Sequence, residues 1–229
     1  MVRIYFSQDL KKPKRKNWNL TLKLIIANFI IFFLVLILNY VLKNVDLFSY
    51  LGLKPSLILE GKYLWTIITS MFMHAGFWHL LVNMLSLGFL GSFLEKLIGS
   101  KRFLLAYLVS GIVASLIFVV SAFIFPDSMN SIAVGASGAI FGLGGMLAVL
   151  TPKLKVYLFF IPIGMPMWLG VIISLLLMWG LSIVAGLPIG NFAHLGGLIA
   201  GAVYGFILRM KYKDKLNKLN NFLEMQQNL

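Results

Sequence analysis

Three short groups of polar residues interrupt otherwise apolar stretches of this chain, and together they could carry out chemistry. The groups are His79 with Asn83, Gly135-Ala136-Ser137-Gly138, and Ala193-His194-Leu195-Gly196-Gly197. A serine hydroxyl becomes a nucleophile when an imidazole within hydrogen-bond reach accepts its proton. Polar side chains within long apolar runs are costly in lipid, so their presence there indicates a function.

Each group has a spacing or a setting that favours a reactive site. His79 and Asn83 are four residues apart, so on a helix they project from the same face and can direct N–H donors at one point. Ser137 falls at the predicted start of a helix, where backbone N–H groups are left free. The glycines beside Ser137, Gly135 and Gly138, permit a close approach of the backbone.

Glycines at four-residue spacing predict that the helices carrying Ser137 and His194 pack closely. Such packing would bring the hydroxyl of Ser137 within hydrogen-bond reach of His194, as a nucleophile–base pair requires. The stripes consist of Gly138 and Gly142 in one helix, and of Gly197, Gly201 and Gly205 in the other.

The composition places these groups in a membrane protein. Of the 229 residues, 60% are hydrophobic and 12% are charged, and the mean hydropathy is +0.92. A soluble protein of this size cannot bury so much apolar surface, which makes soluble enzymes and nucleic-acid-binding modules unlikely classes. The chain has no cysteine, which excludes disulfides, cysteine nucleophiles and zinc–thiolate sites. No acidic residue lies in the middle of a long apolar run, which excludes an aspartic dyad within the bilayer.

The hydropathy pattern predicts an all-α fold with six transmembrane helices, at residues 21–43, 78–97, 102–124, 136–151, 166–186 and 191–210. All basic residues except Lys43, Lys54 and Lys62 then lie in the two terminal segments and in the second and fourth connections. The positive-inside rule therefore places both termini in the cytoplasm. Residues 44–77 become an external connection whose apolar end dips into the outer leaflet against protein.

The predicted spans bring the three polar groups to a similar depth. At 1.5 Å per helical residue, Asn83, Ser137 and His194 lie about 18, 24 and 22 Å from the cytoplasmic boundary. All three therefore fall in the outer half of a hydrocarbon core about 30 Å thick. A shared site requires this agreement, because the residues are far apart in sequence.

The chain divides into a short basic cytoplasmic segment at 1–23, a membrane domain at 24–210 and a basic cytoplasmic tail at 211–229. In the tail, Leu216, Leu219 and Leu223 recur at helical spacing. This pattern predicts a solvated or interfacial helix in contact with anionic lipid.

Simpler interpretations exist for each group taken alone. A serine in a glycine-rich membrane helix is usually a packing residue, and a membrane histidine or asparagine more often forms a structural hydrogen bond. A zinc site built from His74, His79 and His194 is a weaker alternative. His74 and His79 are five residues apart, away from a common helix face, and the H-E-x-x-H motif is absent.

Taken together, the groups resemble the rhomboid family of intramembrane serine proteases. The matching stretches are His74-x-x-x-x-His79-x-x-x-Asn83 entering the second predicted helix, Gly135-Ala136-Ser137-Gly138 entering the fourth, and Ala193-His194-x-x-Gly197 entering the sixth. The resemblance extends from Tyr63 to Leu208, and a core of six helices with cytoplasmic termini matches bacterial members.

The resemblance implies that Ser137 is the nucleophile and His194 its general base, without a metal or a cofactor. The implied oxyanion hole comprises His79, Asn83 and the backbone N–H of Ser137, and Glu95 matches a glutamate that braces the cytoplasmic end of the second helix. The motif residues His74, Gly135, Gly138 and Gly197 are expected to support the site.

Two residues depart from the family pattern. Thr66 follows Trp65 where many members have an arginine that supports the first external loop. Phe141 stands where many members have a tyrosine against the catalytic imidazole, so the ring is kept and the hydroxyl is lost.

The expected function is therefore hydrolysis of peptide bonds in single-span membrane proteins near the outer face. Family members prefer small residues before the cut and helix-weakening residues beyond it. The expected location is a prokaryotic cell membrane, with lipid and substrate as partners and no nucleic acid. The alternatives are a non-catalytic membrane chaperone on the same fold, and a solute transporter, which the absence of inverted repeats and membrane charges disfavours.

Overall fold

The computed structural model describes residues 19–43, 45–158, 161–184 and 190–227, and most of them lie in helices. The long helices are α1 (Leu20–Val41), α7 (Ser100–Ser121), α9 (Met167–Val184) and α10 (Asn191–Lys211). Short helices α2 (Leu47–Leu51), α3 (Pro55–Leu59) and α4 (Thr66–Thr69) follow α1. The remaining helices are α5 (Phe77–Ser86), α6 (Ser92–Ile98), α8 (Ser137–Leu150) and α11 (Lys213–Gln227).

Five helical segments in the described part of the chain are long and apolar enough to cross a membrane. They are α1, the continuous segment Phe77–Ile98, α7, α9 and α10. Helix α8 has 14 residues, or about 21 Å, which is shorter than a hydrocarbon core of about 30 Å. The predicted count of six transmembrane helices was therefore too high by this criterion, although all six predicted helices are present.

The segment Phe77–Ile98 is not a regular α-helix along its whole length. A π-helical turn at Leu87–Gly91 separates α5 from α6. Such turns occur mostly as single insertions into α-helices. The hydropathy pattern does not reveal this turn, because the apolar residues continue through it.

Residues 45–76, called the first loop here, fold against the chain that leads into α8. Helices α2, α3 and α4 and a 3₁₀ turn at Ser70–Phe72 form the loop. The backbones of Leu53 and Ala133 exchange two hydrogen bonds, and the N–H of Gly135 donates to the carbonyl of Ser70 at 2.9 Å. The first loop is thus packed on protein, and it fixes the backbone just before Ser137.

Thr66 is buried and hydrogen-bonded within the first loop. Its hydroxyl donates to the carbonyl of Tyr63 at 2.7 Å, and its side chain is buried. The neighbouring Trp65 donates through Nε1 to the carbonyl of Tyr50 at 3.0 Å. Local hydrogen bonds and an aromatic cluster of Tyr50, Tyr63 and Trp65 hold this part of the loop.

A β-hairpin connects α8 to α9, which the all-α prediction did not include. Strands β1 (Lys155–Leu158) and β2 (Ile161–Pro166) pair antiparallel. The second strand contains Pro162, Gly164 and Pro166, residues that predict a break between helices but not the pairing of the broken segment.

One face of the C-terminal helix α11 packs against the protein, whereas most of its other residues are exposed, and the expected contact with anionic lipid stays a prediction. Leu216 and Leu219 are buried in the main hydrophobic core, and Leu223 packs on its edge. Asn220, on the same helix face, donates to the carbonyl of Leu150 at 3.0 Å. The predicted N-terminal segment lies almost entirely outside the described residues.

Glu95 joins α1, α6 and α7 at one end of the bundle. This end is called the basic face here, and its basic residues include Lys23, Lys96, Lys101, Lys153 and Lys211. Its carboxylate accepts hydrogen bonds from the backbone N–H groups of Leu20 and Thr21, both at 2.8 Å. It also accepts from the hydroxyls of Thr21 at 2.7 Å and Ser100 at 2.6 Å. Glu95 therefore satisfies free donors in the first turn of α1 and joins α6 to the first residue of α7.

Glu95→Ala should lower the free energy of unfolding by about 3 kcal/mol, because hydrogen bonds to a buried charged acceptor contribute about 1.5–3 kcal/mol each. Lys96→Ala, at the exposed neighbouring position, is the matched control. The measurement is unfolding in detergent micelles. Equal stability of the two variants would show that the carboxylate does not hold α1 in place.

Candidate active site

Ser137 is the first residue of α8 and is half-buried. The backbone before it is constrained, since Gly135 has φ +126°, a left-handed conformation that residues with a Cβ rarely adopt. The first N–H groups of α8 have no partner within the helix and are available near the hydroxyl. The sequence predicted this helix start to within one residue.

His194 lies in the first turn of α10, and its Nε2 is 2.8 Å from the Oγ of Ser137. The imidazole is buried, with 6% of the residue exposed. Among the described residues, nothing hydrogen-bonds to Nδ1. If Nε2 accepts the serine proton, Nδ1 carries the other hydrogen, and no carboxylate in the described part of the chain orients it.

The ring of Phe141 stacks on His194. The ring centroids are 4.6 Å apart and the planes are inclined by 26°. Phe141 is one helical turn after Ser137, so α8 supplies both the hydroxyl and the surface on which the imidazole rests. In a Ser-His-Asp triad a carboxylate orients the imidazole. Here the stacked ring of Phe141 holds the imidazole of His194 instead.

Close packing of α8 and α10 allows this arrangement. A Cβ added to Gly197 would overlap the carbonyl oxygen of Gly138, and one added to Gly201 would overlap that of Gly142. At Gly205 the contact is looser, with a Cβ position 3.1 Å from the Cα of Met146. The predicted stripe therefore lies against α8, with close contacts at Gly197 and Gly201 and a looser one at Gly205.

His79 lies next to Gly135, close to the hydroxyl of Ser137. Its Nδ1 accepts a hydrogen bond from the N–H of Ala75 at 3.3 Å, so Nε2 carries the hydrogen. A Cβ at Gly135 would lie 2.9 Å from this Nε2 and 3.6 Å from the Oγ of Ser137. Glycine at this position therefore leaves the space between the imidazole donor and the hydroxyl open.

Asn83 and His74 both contact His79. The side-chain amide of buried Asn83 donates to the carbonyl of His79 at 2.8 Å. The ring of buried His74 meets that of His79 edge to face, with centroids 5.2 Å apart. The side chain of Asn83 thus bonds within its own helix, and His74 packs against the ring of His79.

The described residues include no group of three or more His, Cys, Asp or Glu side chains that could hold a metal ion. In particular, the three histidines of the zinc alternative do not form such a group. Sequence reasoning missed Ser70, whose carbonyl receives the Gly135 N–H, because no local pattern reveals a contact made between a loop and a distant segment.

The fold and the site define a multi-pass membrane protein in which a half-buried serine contacts a buried histidine. The chain belongs to the rhomboid family, since the model of the Rhomboid domain matches residues 61–211. This match includes every residue of the candidate site.

Similarity to individual proteins agrees with the family match. The chain is 37% identical to the Rhomboid protease GluP of Bacillus subtilis over 180 residues, which cover 78% of this chain and 32% of that protein. It is 35% identical to RHOMBOID-like protein 6, mitochondrial, of Arabidopsis thaliana over 167 residues, 72% of this chain and 50% of the relative. Rhomboid protein 1, mitochondrial, of Saccharomyces cerevisiae is 33% identical over 162 residues, 68% of this chain and 46% of the relative. The chain spans between about a third and a half of the length of these relatives.

Gly197→Val should reduce the activity of the serine by about 10²-fold, because a side chain there separates α8 from α10 and a 1 Å displacement of reacting groups costs this much. Gly205→Val, about 12 Å further along α10, should reduce it less. The measurements are reporter cleavage, labelling by a fluorophosphonate and melting temperature.

Gly180→Val is the control for this comparison, since no described atom lies within 4 Å of a Cβ at that position in α9. We expect it to behave as the parent does. Parental cleavage by Gly197→Val would contradict the geometry described for the serine–histidine pair.

Phe141→Ala should lower kcat on the order of 10²-fold through misplacement of the imidazole, whereas Phe141→Tyr should retain most activity because the stacked ring remains. The comparison requires kcat for a transmembrane reporter and the rate of fluorophosphonate labelling. If all three versions react at the same rate, the stack does not orient His194.

Proposed function

We propose that this chain is an intramembrane serine protease that hydrolyses peptide bonds in single-span membrane proteins. The observation that supports the proposal best is the 2.8 Å contact between the Oγ of Ser137 and the Nε2 of His194. A bond of this length is within the range required for proton transfer from a nucleophile to its base. Membership of a family that includes a bacterial rhomboid protease supports the same reaction.

The proposed reaction begins when His194 accepts the Ser137 proton and the oxygen attacks the peptide carbonyl. His194 then gives its proton to the leaving amine, which leaves an ester between Ser137 and the substrate. Water, activated by the same imidazole, hydrolyses the ester and restores the serine. The stack of Phe141 on His194 supports a two-residue mechanism, since the ring keeps its orientation while the proton moves.

The proposed oxyanion hole combines Nε2–H of His79, the amide of Asn83 and the backbone N–H of Ser137. His79 is best placed for this role, because its Nδ1 is already occupied as an acceptor and its Nε2 faces the space beside Gly135. A preorganised donor of this kind contributes about 10²–10³ in rate. Asn83 must turn one N–H away from the His79 carbonyl, or use its second N–H, to contribute.

We also propose that the basic face lies in the cytoplasm of a prokaryotic cell, so that both termini are cytoplasmic and the site opens toward the outer face. The distribution of lysine and arginine supports this orientation. Likeness to the Bacillus subtilis protease supports a bacterial membrane, although relatives named as mitochondrial match over a similar length. The exposed apolar side chains of α1 and α9 support lipid as the surrounding partner.

Ser137→Ala should abolish cleavage of a transmembrane reporter, and His194→Ala should both abolish cleavage and prevent labelling of Ser137. The reason is that an unactivated hydroxyl is a poor nucleophile, and a general base contributes about 10²–10⁴ in rate. Cleavage in reconstituted vesicles and labelling by a fluorophosphonate are the measurements.

Ser131→Ala is the matched control, because Ser131 is an exposed serine outside the site. It should cleave and label as the parent does. Cleavage retained by Ser137→Ala would refute the proposed serine mechanism.

A further inference from the structure

The end of α8 remote from Ser137 is buried and needs hydrogen-bond donors. Leu150, the last residue of this helix, and Thr151 after it are almost completely inaccessible. The last carbonyls of a helix have no partner within the helix. In a membrane protein such groups must find partners within the protein, because lipid offers none.

Two side chains from other helices supply these donors. Arg209 of α10 donates through Nη1 to the carbonyl of Val149 at 2.8 Å. Asn220 of α11 donates through Nδ2 to the carbonyl of Leu150 at 3.0 Å and to its own helix at Leu216, at 2.9 Å. The far end of the serine helix is therefore held by α10 and by the C-terminal helix.

Apolar contacts hold Asn220 in this position. Leu216 and Leu219 on the same face of α11 are buried, with 1% and 8% of each residue exposed. An exposed ion pair between Lys153 and Glu224, at 3.2 Å, lies at the edge of the contact. Because exposed ion pairs contribute little, the buried leucines hold α11 on the main hydrophobic core, and the amide of Asn220 is its partly buried polar link to α8.

Helix α8 transmits this contact to the site. It is one continuous helix from Ser137 to Leu150, and its contact with α10 has almost no free space at Gly197 and Gly201. A shift of α8 along or around its axis at the Leu150 end therefore also moves Ser137 relative to His194. The bond between Ser137 and His194 has a narrow working range of about 2.6–3.2 Å.

We propose that α11 is a positioning element of the active site, and that Asn220 is a positioning residue that sets the register of α8 against α10. The inference rests on the proposed protease function, and it assigns to the C-terminal helix a part in catalysis that its basic, amphipathic sequence does not reveal. Asn220 acts through α8 and does not touch the substrate.

The test compares Asn220→Leu with Asn217→Leu in the full chain. Leucine keeps the number and branching of the side-chain heavy atoms of asparagine but is bulkier and cannot donate to the Leu150 carbonyl. Asn217 is an exposed position on the same helix, and its leucine variant is the matched control. We expect Asn220→Leu to lower kcat and the fluorophosphonate labelling rate of Ser137 about ten-fold with KM unchanged, since misplaced groups slow the chemical step. Asn217→Leu should match the parent, and Asn220→Gln, which keeps the amide donor, should restore most of kcat.

A purely stabilising role for α11 gives a different result. In that case Asn220→Leu lowers Tm but leaves kcat unchanged at temperatures well below this Tm, and this outcome overturns the proposal. Asn19→Ala is the reference for lost stability, because it removes the N-cap of α1, in which the Asn19 side chain accepts a hydrogen bond from the N–H of Leu22 at 3.0 Å. We expect it to lower Tm with kcat unchanged.

Two further outcomes are distinguishable. If Asn220→Leu does not insert into the membrane, Asn220→Ser, whose shorter side chain cannot span the same distance, is compared with Asn217→Ser by the same measurements. A parent chain that neither cleaves the reporter nor reacts with the fluorophosphonate overturns the proposed function, and the inference falls with it. If the parent is active and neither Asn220→Leu nor Asn220→Ser changes kcat, the role of α11 is refuted and the proposed protease function stands.

Discussion

The backbone contact between α8 and α10 is the constraint on which the candidate site depends. Helices inside lipid gain little from the hydrophobic effect on association, so the distance between them is set by how closely their surfaces pack. At Gly197 the carbonyl oxygen of Gly138 occupies the space of a side chain. One turn away, the same proximity puts Ser137 and His194 in hydrogen-bond contact at 2.8 Å. The close approach of α8 and α10 is therefore required both for their packing and for the contact between Ser137 and His194.

Helix α8 is shorter than a hydrocarbon core. Other parts of the chain therefore provide hydrogen-bond partners at both of its ends. Before the helix, the N–H of Gly135 bonds to the Ser70 carbonyl in the first loop. After it, donors from Arg209 and Asn220 satisfy the terminal carbonyls. A short helix held at both ends by other elements has a defined position along its axis, and a fixed nucleophile requires this.

Much of the fold and of the site could be predicted from the sequence, because membrane thickness and helical rise restrict the possibilities. Apolar runs gave the helices to within a few residues, and the glycine stripes indicated which helices meet. The level positions of Ser137 and His194 followed from counting residues to the charged boundary. Among the described residues, the all-α prediction did not include the pairing of Lys155–Leu158 with Ile161–Pro166.

The sequence by itself determined the approximate bounds of the helices that carry Ser137 and His194, because those depend on local hydropathy and on distance along a helix. Only the tertiary structure decided what the amphipathic segments face. The leucines of α11 have a spacing that suits a lipid surface as well as a protein surface, and Leu216 is in fact buried in the core. The bond from Asn220 to Leu150 joins residues 70 positions apart. Periodicity describes one helix at a time, so a partner chosen by the packing of distant segments is invisible to it.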